Sequence, residues 1–296
     1  MKKNDAILLI LIIFFTLTYL LSFIRQSKKE EKRESVKSAL INPKNAGEIY
    51  KIAFSSSGEE IELIKDKNSG FWFICRKGFE DIITSADKKK IENLLADLTT
   101  VRNMYKISDK ISQNNSFGLT DSSAFVIRYY YQESFDELIF GNQDFSLSSR
   151  YMMSGRNTNV YEINDEIQKY LSTSIGFWAE PYLIPRAISG IKSAADIQSL
   201  SLSSGRKLEK IDQGLIELRH GGLPTEEEIT NCMKSEAELT ATFEVGNKVS
   251  IIMEFYKNDY ENTFLVKTKC ISQKSEKVLY SKISEWTYNK IKEITL

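Results

Sequence analysis

The run of residues 6–24 carries no charged side chain, and it constrains the chain more than any other feature. It reads AILLILIIFFTLTYLLSFI, in which a few hydroxyl-bearing residues are scattered among apolar ones. An α-helix of this length rises about 28 Å, close to the hydrocarbon thickness of a bilayer. In lipid the backbone must satisfy its own hydrogen bonds, so a helix is the expected conformation. The sequence therefore predicts a transmembrane helix at 6–24, with the lipid bilayer as its partner.

A cleaved signal peptide is the alternative interpretation of this run. The apolar core of such a peptide is shorter, about 7–15 residues, and a cleavage site of small residues follows it. Here the run continues into Ser22-Phe23-Ile24-Arg25, without an A-x-A pattern and without a cysteine that could accept a lipid. The sequence favours an uncleaved, single-pass anchor.

The charges that flank the anchor leave its orientation open. Lys2 and Lys3 lie in a short stretch at 1–5 that is expected to be cytoplasmic. Several basic residues also follow the anchor, and the positive-inside rule alone would keep the large domain in the cytoplasm. A very short basic N-terminus ahead of a first helix, however, commonly stays inside while the rest of the chain is exported.

A polar stretch at 25–46 follows, with acidic and basic side chains interleaved. This composition predicts a solvated stalk, in helix or coil, that holds the folded domain away from the bilayer. Pro43 is expected to end any helix in the stalk.

The rest of the chain predicts an α+β fold of two related lobes, at 47–178 and 179–296. Each lobe is expected to contain an antiparallel sheet with packed helices. Residues 47–74 and 195–218 both read as short strands separated by Gly/Ser turns. An alignment with a one-residue gap at the Ser-Ser-Gly turn matches Ile49, Ile52, Phe54, Ile61 and Ile64 with Ile197, Leu200, Leu202, Leu208 and Ile211. We interpret this as an internal repeat, the alternative being chance similarity among strand-rich segments.

Helices and further strands follow in both lobes. The first helix is predicted after Ser85, with an apolar stripe that extends to Val101. Thr225 and Glu228 form a T-x-x-E capping box that predicts the start of a helix in the second lobe. The segments FVIRYYYQ and VSIIMEFYK alternate apolar and polar residues, which is typical of strands with one wet face. The last helix is expected to pack through Ile283, Trp286, Ile291 and Ile294.

The chain offers little of the chemistry that catalysis or cofactor binding requires. His220 is the single histidine, so a multi-histidine metal site is not available. The three cysteines, Cys75, Cys232 and Cys270, are far apart and are expected to be buried free thiols. No phosphate-binding or dinucleotide-binding glycine motif occurs, and the balanced charge attracts no nucleic acid. We therefore expect no catalytic, cofactor-binding or metal-binding residues, no cofactor, no nucleic-acid partner and no enzyme activity.

The segment FWAEPYLIP, between the two lobes, is the best candidate for binding a partner. Trp178, Pro181, Tyr182 and Pro185 are the candidate residues, because aromatic side chains are enriched at interface hot spots. The proline residues prevent the segment from forming a regular central strand. The alternative is that the segment packs between the lobes as an ordered connector.

Several short motifs together resemble a known family. They are FWFI at 71–74, the Ala86-Asp87 pair that opens a Leu-rich helix, FGL at 117–119, IFG at 139–141 and VYEI at 160–163, with WAEPYLIP at 178–185 closing the first half. The pattern resembles a bacterial family of membrane-anchored proteins, classed as a domain of unknown function, that accompany ABC transporters of the gliding-motility (Gld) type. The resemblance covers the anchor and residues 47–185, with a weaker second copy after them.

The resemblance implies a location in the cell membrane with the large domain extracytoplasmic, and a role beside a transporter rather than in catalysis. The expected partners are the permease or an auxiliary subunit of an ABC transporter. The alternative function is a module that binds a glycan, a lipid or a peptide in the cleft between the two lobes. The sequence identifies no small-molecule ligand.

Overall fold

The computed structural model describes residues 12–22, 35–109, 117–120, 122, 124–155, 158–246, 249–258, 261–272 and 276–295. Most of these residues form two antiparallel sheets, each with its own apolar core, and helices pack against the sheets. This confirms the prediction of an α+β fold that is mostly antiparallel. The residue ranges 1–5, 6–11 and 23–34 of the predicted N-terminus, anchor and stalk lie outside the described residues.

The first sheet has ten strands in the order β1-β6-β10-β9-β8-β7-β2-β3-β4-β5, and every pairing in it is antiparallel. The strands are β1 (Ser35–Ser38), β2 (Ile49–Ser56), β3 (Glu59–Lys65), β4 (Trp72–Arg76), β5 (Thr84–Ser85), β6 (Arg102–Ser108), β7 (Phe125–Tyr131), β8 (Ser134–Gln143), β9 (Ser149–Ser154) and β10 (Val160–Asn164).

The second sheet has six strands in the order β12-β11-β13-β14-β15-β16, again all antiparallel. The strands are β11 (Ile197–Leu202), β12 (Lys207–Leu208), β13 (Leu239–Val245), β14 (Val249–Asn258), β15 (Thr263–Ile271) and β16 (Glu276–Ser284).

Three of the α-helices are longer than the others. In chain order, the α-helices of the described residues are α1 (12–22), α2 (Pro43–Ala46), α3 (Lys88–Thr99), α4 (Ile175–Trp178), α5 (Arg186–Ser189), α6 (Gln213–Ile216), α7 (Glu226–Cys232) and α8 (Glu285–Thr295), with 3-10 turns at Asp165–Tyr170 and Ala194–Asp196. Among the helices of the described residues, none is long and apolar enough to span a membrane.

Both sheets contain the same order of six strands. The order β3-β2-β7-β8-β9-β10 in the first corresponds to β12-β11-β13-β14-β15-β16 in the second. The pairing register shifts between Ile49 and Lys51 in one sheet, and between Ile197 and Ser199 in the other. A bulge is a specific local feature of a strand, so its recurrence at aligned positions supports a common plan for the two lobes.

The repeat is less regular beyond its first strand. Leu208 pairs with Leu200, whereas Ile52, the counterpart of Leu200, pairs with Leu63. The structural counterpart of Leu208 is therefore Leu63 rather than Ile61, because the chain of the second hairpin turns back sooner after Leu200 than the first does after Ile52.

The two helices that follow the hairpins cover different faces of their sheets. In the first lobe, Ile91, Leu94 and Leu98 of α3 pack into the main core. In the second lobe, α7 packs Cys232 and Ile229 on Tyr256 and Leu265, which alternate with the core-facing residues. The side chains of Thr225 and Glu228 form the predicted capping box at its start.

Of three further predictions, the structure confirms one and corrects two. The alternating burial of β7 and β14 confirms the predicted strands. Trp286 is 70% exposed, so its predicted place in the packed face of α8 is wrong; Tyr288 and Ile291 fill that face instead. The predicted stalk is folded from Ser35 onward, because β1 pairs with β6 and Ile41 is buried in the first core.

The three cysteines are free and buried, as predicted. Burial raises the pKa of both the Cys75 and the Cys270 thiol to about 12. These thiols are therefore protonated at neutral pH and are poor nucleophiles.

Gly141, in the middle of β8, lies where a second layer of chain crosses the sheet. A Cβ atom built on Gly141 would overlap the backbone carbonyl oxygen of Phe117, whose side chain packs with Met153 and Val160. Gly141 is therefore required by close packing.

We expect Gly141→Ala to lower the free energy of unfolding by about 2 kcal/mol, because the segment around Phe117 must move away from the sheet. Gly47→Ala is the matched control, since Gly47 has a right-handed helical backbone and open space around its Cβ position. Urea unfolding followed by tryptophan fluorescence measures both. Equal stability of the two variants would contradict the close contact.

Candidate functional site

The segment that joins the lobes is an extended connector, residues 179–185, bonded to both of them. The Glu180 N–H donates to the Ser85 carbonyl of the first lobe at 2.8 Å. On the other side, the Leu183 N–H donates to the Leu218 carbonyl of the second lobe, also at 2.8 Å. The two lobes are thus joined through continuous backbone pairing rather than through a free linker.

Trp178, directly before the connector, is completely buried in the first core. Its ring stacks on Phe54 with centroids 4.7 Å apart, and its indole N–H donates to the Ser172 carbonyl at 2.8 Å. The donor of the indole is therefore satisfied and its ring is covered. In this conformation Trp178 has no surface to offer to a partner.

Of the other three candidate residues, two are partly exposed and one is buried. Pro181 and Tyr182 are half-buried, whereas Pro185 is buried directly before α5. The Arg186 guanidinium lies over the Tyr182 ring, 3.4 Å from its centroid, and also donates to the Ile216 carbonyl at 2.8 Å. Partner binding through these residues stays a prediction, with Tyr182 and Arg186 as its accessible part.

Glu180 is the acidic group of the connector. Its carboxylate accepts hydrogen bonds from the Ser85 hydroxyl at 2.9 Å and from the Arg186 and Ala187 N–H groups at 3.0 and 3.2 Å. Burial nevertheless raises the pKa of Glu180, and its hydrogen bonds only partly offset that effect. The side chain fastens the connector to both β5 and the start of α5.

His220 holds the connector on its other side. Its Nε2 lies 2.7 Å from the Glu180 carbonyl oxygen, and its Nδ1 accepts the Gly222 N–H at 3.1 Å. Because Nδ1 is an acceptor, Nε2 must carry the proton and donate it to Glu180. Burial lowers the pKa of His220, which favours this neutral form.

Side chains outside the connector also join the lobes. Arg76 of the first lobe donates to the Pro224 and Leu223 carbonyls of the second, at 2.9 and 3.3 Å. Lys277 forms an ion pair with Asp66 at 3.0 Å. Phe73, from β4, packs in the second core. A side chain of the first lobe therefore completes the apolar core of the second at their junction.

A hairpin tip that the sequence analysis did not single out exposes two apolar side chains. Phe145 is completely exposed and Leu147 is 69% exposed, at the turn between β8 and β9. The Asp144 carboxylate orders the turn, because it accepts hydrogen bonds from the Ser146 hydroxyl and from the Ser148 and Ser149 N–H groups. Leu147 has a φ of +58°, a conformation that costs energy for a residue other than glycine. The turn is therefore ordered but strained.

The apolar side chains of α1 are exposed on all sides. Between 48% and 71% of the surface is exposed for each of Ile12, Ile13, Phe14, Phe15, Leu17, Tyr19, Leu20 and Leu21. The described residues supply no apolar surface that covers this helix.

A match to a protein family covers residues 80–241, more than half of the chain, and that family is described as a domain of unknown function, DUF4340. The chain belongs to the DUF4340 family. No curated protein and no solved structure shows a significant match to it.

The DUF4340 match includes parts of both lobes. It begins at Glu80, before β5, and ends at Ala241 in β13, so the whole connector lies inside it. Glu180 and His220 are within the DUF4340 region, as are Trp178, Pro181, Tyr182 and Pro185. The connector thus belongs to the region that the family match covers.

We expect the stability of the protein to fall as the pH drops below about 6.5, because the pKa of His220 is lowered in the folded state. Below this pH the unfolded chain binds a proton at His220 more readily than the folded protein does. In the folded protein, a proton on Nδ1 would face the Gly222 N–H and break that hydrogen bond. Urea unfolding between pH 7.5 and 5, in about half-unit steps, measures the loss. In His220→Asn, whose side-chain oxygen can still accept from Gly222, the loss over this range is expected to shrink; an unchanged pH profile would contradict the assignment.

We expect Glu180→Gln to show the opposite pH dependence. The raised pKa of Glu180 means that its neutral form stabilises the fold, so this contribution is present below about pH 4.5 and is lost as the pH rises through the folded pKa. Glutamine cannot ionise, so the stability of the variant relative to the wild type should increase with pH over this range. A pH-independent difference in unfolding free energy would argue against it.

Proposed function

We propose that the chain is a single-pass membrane protein, anchored through residues 6–24, whose two-lobed domain is a non-enzymatic accessory subunit of a transport system. In this proposal the domain is extracytoplasmic and acts through contacts with other membrane proteins. The family resemblance of the sequence motifs suggests the permease or an auxiliary subunit of an ABC transporter as the partner.

The exposed apolar surface of α1 is the observation that carries the proposal. A helix that is apolar on all sides is stable only where lipid or protein surrounds it. The uncharged run 6–24 contains α1 and continues in the sequence on both sides of it. Insertion of this run into a bilayer would remove all of its apolar side chains from water.

The hairpin tip at 144–148 supports a role in contacting protein. Phe145 and Leu147 project from a turn whose backbone and polar side chains are already hydrogen-bonded to one another. Because the backbone of the turn is already ordered, the apolar pair on it loses less conformational entropy on binding than it would on a flexible loop. The tip is therefore proposed as a protein contact, with Asp144 selecting a basic rim on the partner.

The shared junction of the lobes supports an accessory rather than a ligand-binding role. Trp178 and its neighbours fill the space beside the connector, and Arg76 and Lys277 close its edges. A ligand held between the lobes, the alternative function, stays a prediction that this packing does not favour. A joined pair of lobes instead presents one extended surface to a partner.

We expect the tagged full-length protein, extracted in mild detergent, to co-purify with an ABC permease or its auxiliary subunit identified by mass spectrometry. Replacing Phe145 and Leu147 by serine should reduce the recovered partner at least about tenfold, as expected for a hot spot. Phe79→Ser, at an exposed phenylalanine elsewhere, is the matched control and should leave the recovery unchanged.

Anchoring is tested separately by alkaline extraction of isolated membranes. The wild type should remain in the membrane fraction, and Leu17→Glu combined with Ile13→Glu should release it, because charges at the centre of a membrane helix are costly. A wild-type protein found free in the soluble fraction would overturn the anchor. A protein that stays anchored but is recovered without any transporter subunit would overturn the accessory role.

A further inference from the structure

Three aromatic rings form a row across one face of the first sheet. Tyr50, Tyr130 and Phe135 lie on the adjacent strands β2, β7 and β8. The Tyr50 and Tyr130 centroids are 6.4 Å apart, and those of Tyr130 and Phe135 are 5.7 Å apart. Phe135 is 52% exposed and the two tyrosines are half-buried, so the row is accessible from solvent.

A cation lies over each ring of the row. Lys67 lies 5.8 Å from the Tyr50 centroid, Lys51 5.1 Å from that of Tyr130, and Arg128 5.5 Å from that of Phe135. Lys51 and Arg128 are also paired with Glu62 and Glu137. Lys67, by contrast, is exposed and has no ion pair among the described residues. We call these three rings and three cations the aromatic-cation row.

The aromatic-cation row lies at the end of the first sheet from which the chain leads back to the proposed anchor. Because adjacent strands alternate in direction, β1, β8 and β2 run the same way and begin at the same end of the sheet. Tyr50 and Phe135 are the second residues of β2 and β8, and Tyr130 is the last but one of β7. Ser35 begins β1 at this end, while the hairpin tip at 144–148 lies at the opposite end.

The length of chain before β1 keeps this end of the sheet close to the anchor. Only residues 23–34 separate α1 from β1, and a chain of that length reaches at most about 40 Å. If residues 6–24 cross a bilayer, the end of the sheet at which β1 begins is therefore held within reach of its surface.

We propose that the aromatic-cation row is a docking surface for the headgroup region of the bilayer that holds the anchor. The inference rests on the proposed membrane anchoring and adds to it an orientation of the domain. Tyrosine and phenylalanine rings beside lysine and arginine are suited to the interface, where the rings leave water and the cations meet phosphate.

The geometry of the rings favours a bilayer over a glycan or a nucleic acid. Successive bases or sugars would stack together most readily on rings that share one plane. Here the planes of Tyr50 and Tyr130 are inclined by 52° and those of Tyr130 and Phe135 by 37°. Rings in the headgroup region need no common plane, since they gain only by leaving water. The exposed charge of Lys67, which no ion pair among the described residues neutralises, complements an anionic lipid.

The test uses the full-length protein in vesicles of phosphatidylcholine mixed with phosphatidylglycerol. A single cysteine is introduced either at Ser134, beside the row, or at Phe145, at the opposite end, and is labelled with an environment-sensitive fluorophore. The three natural cysteines are buried, so the label is expected to attach to the introduced thiol. Lipids with a quencher near the headgroup report contact with the bilayer, iodide reports contact with water, and flotation reports anchoring.

The expected result is that lipid quenches most of the fluorescence at position 134 and none at position 145, while iodide does the reverse. Lys67→Glu should weaken the quenching at 134 without changing flotation. Vesicles that carry the protein but quench neither label, or quench the one at 145 alone, would overturn the docking surface and leave the anchor standing. A label at 134 shielded from iodide without lipid quenching would overturn it in favour of a protein neighbour. Protein that does not float would overturn both proposals.

Discussion

The backbone hydrogen bonds of the connector hold the rest of this structure together. Each lobe buries its own apolar core, and two separate cores would leave the lobes free to move as independent bodies. Here the connector pairs with both lobes, through the Glu180 N–H to the first and the Leu183 N–H to the second. The Glu180 carboxylate also accepts a hydrogen bond from the Arg186 N–H, and the His220 imidazole bonds to the Glu180 carbonyl. Phe73 of the first lobe then packs in the second core, so the interior of the second lobe is not complete without the first.

Much of the fold follows from local patterns in the sequence. Period-two alternation predicts the strands around Ile127 and Met253, and the Thr225–Glu228 capping box predicts the start of α7, because each of these signals depends on a few neighbouring residues. The hairpin alignment also matches Ile49 with Ile197, and each sheet has a bulge directly after this residue. What sequence similarity could not give is the length of the second hairpin, which shifts Leu208 from Ile61 to Leu63.

Side-chain placement depends on contacts between residues far apart in the chain, which local sequence patterns do not contain. Trp178 looked suited to a partner, but Phe54, a distant residue, covers its ring. Trp286 looked like part of a packed face, yet Tyr288 takes that place by stacking on Phe264 at 3.8 Å. No sequence pattern marks Phe145 and Leu147 as exposed, because their exposure depends on the conformation of the turn around Asp144. Glu180 and His220 likewise meet only after both lobes have folded.

If residues 6–24 anchor the chain in a membrane, as proposed, the edges of the ten-stranded sheet affect how neighbouring copies interact. Anchored proteins share two dimensions, so neighbouring copies meet often, and an open strand edge invites copies to zip together into aggregates. The edge strand β1 is only four residues long and carries the exposed Lys37, while the other edge, β5, is covered by the second lobe. Because one edge is short and charged and the other is covered, neither edge favours strand pairing between copies. A high density of the protein in the proposed membrane setting would therefore not by itself lead to aggregation.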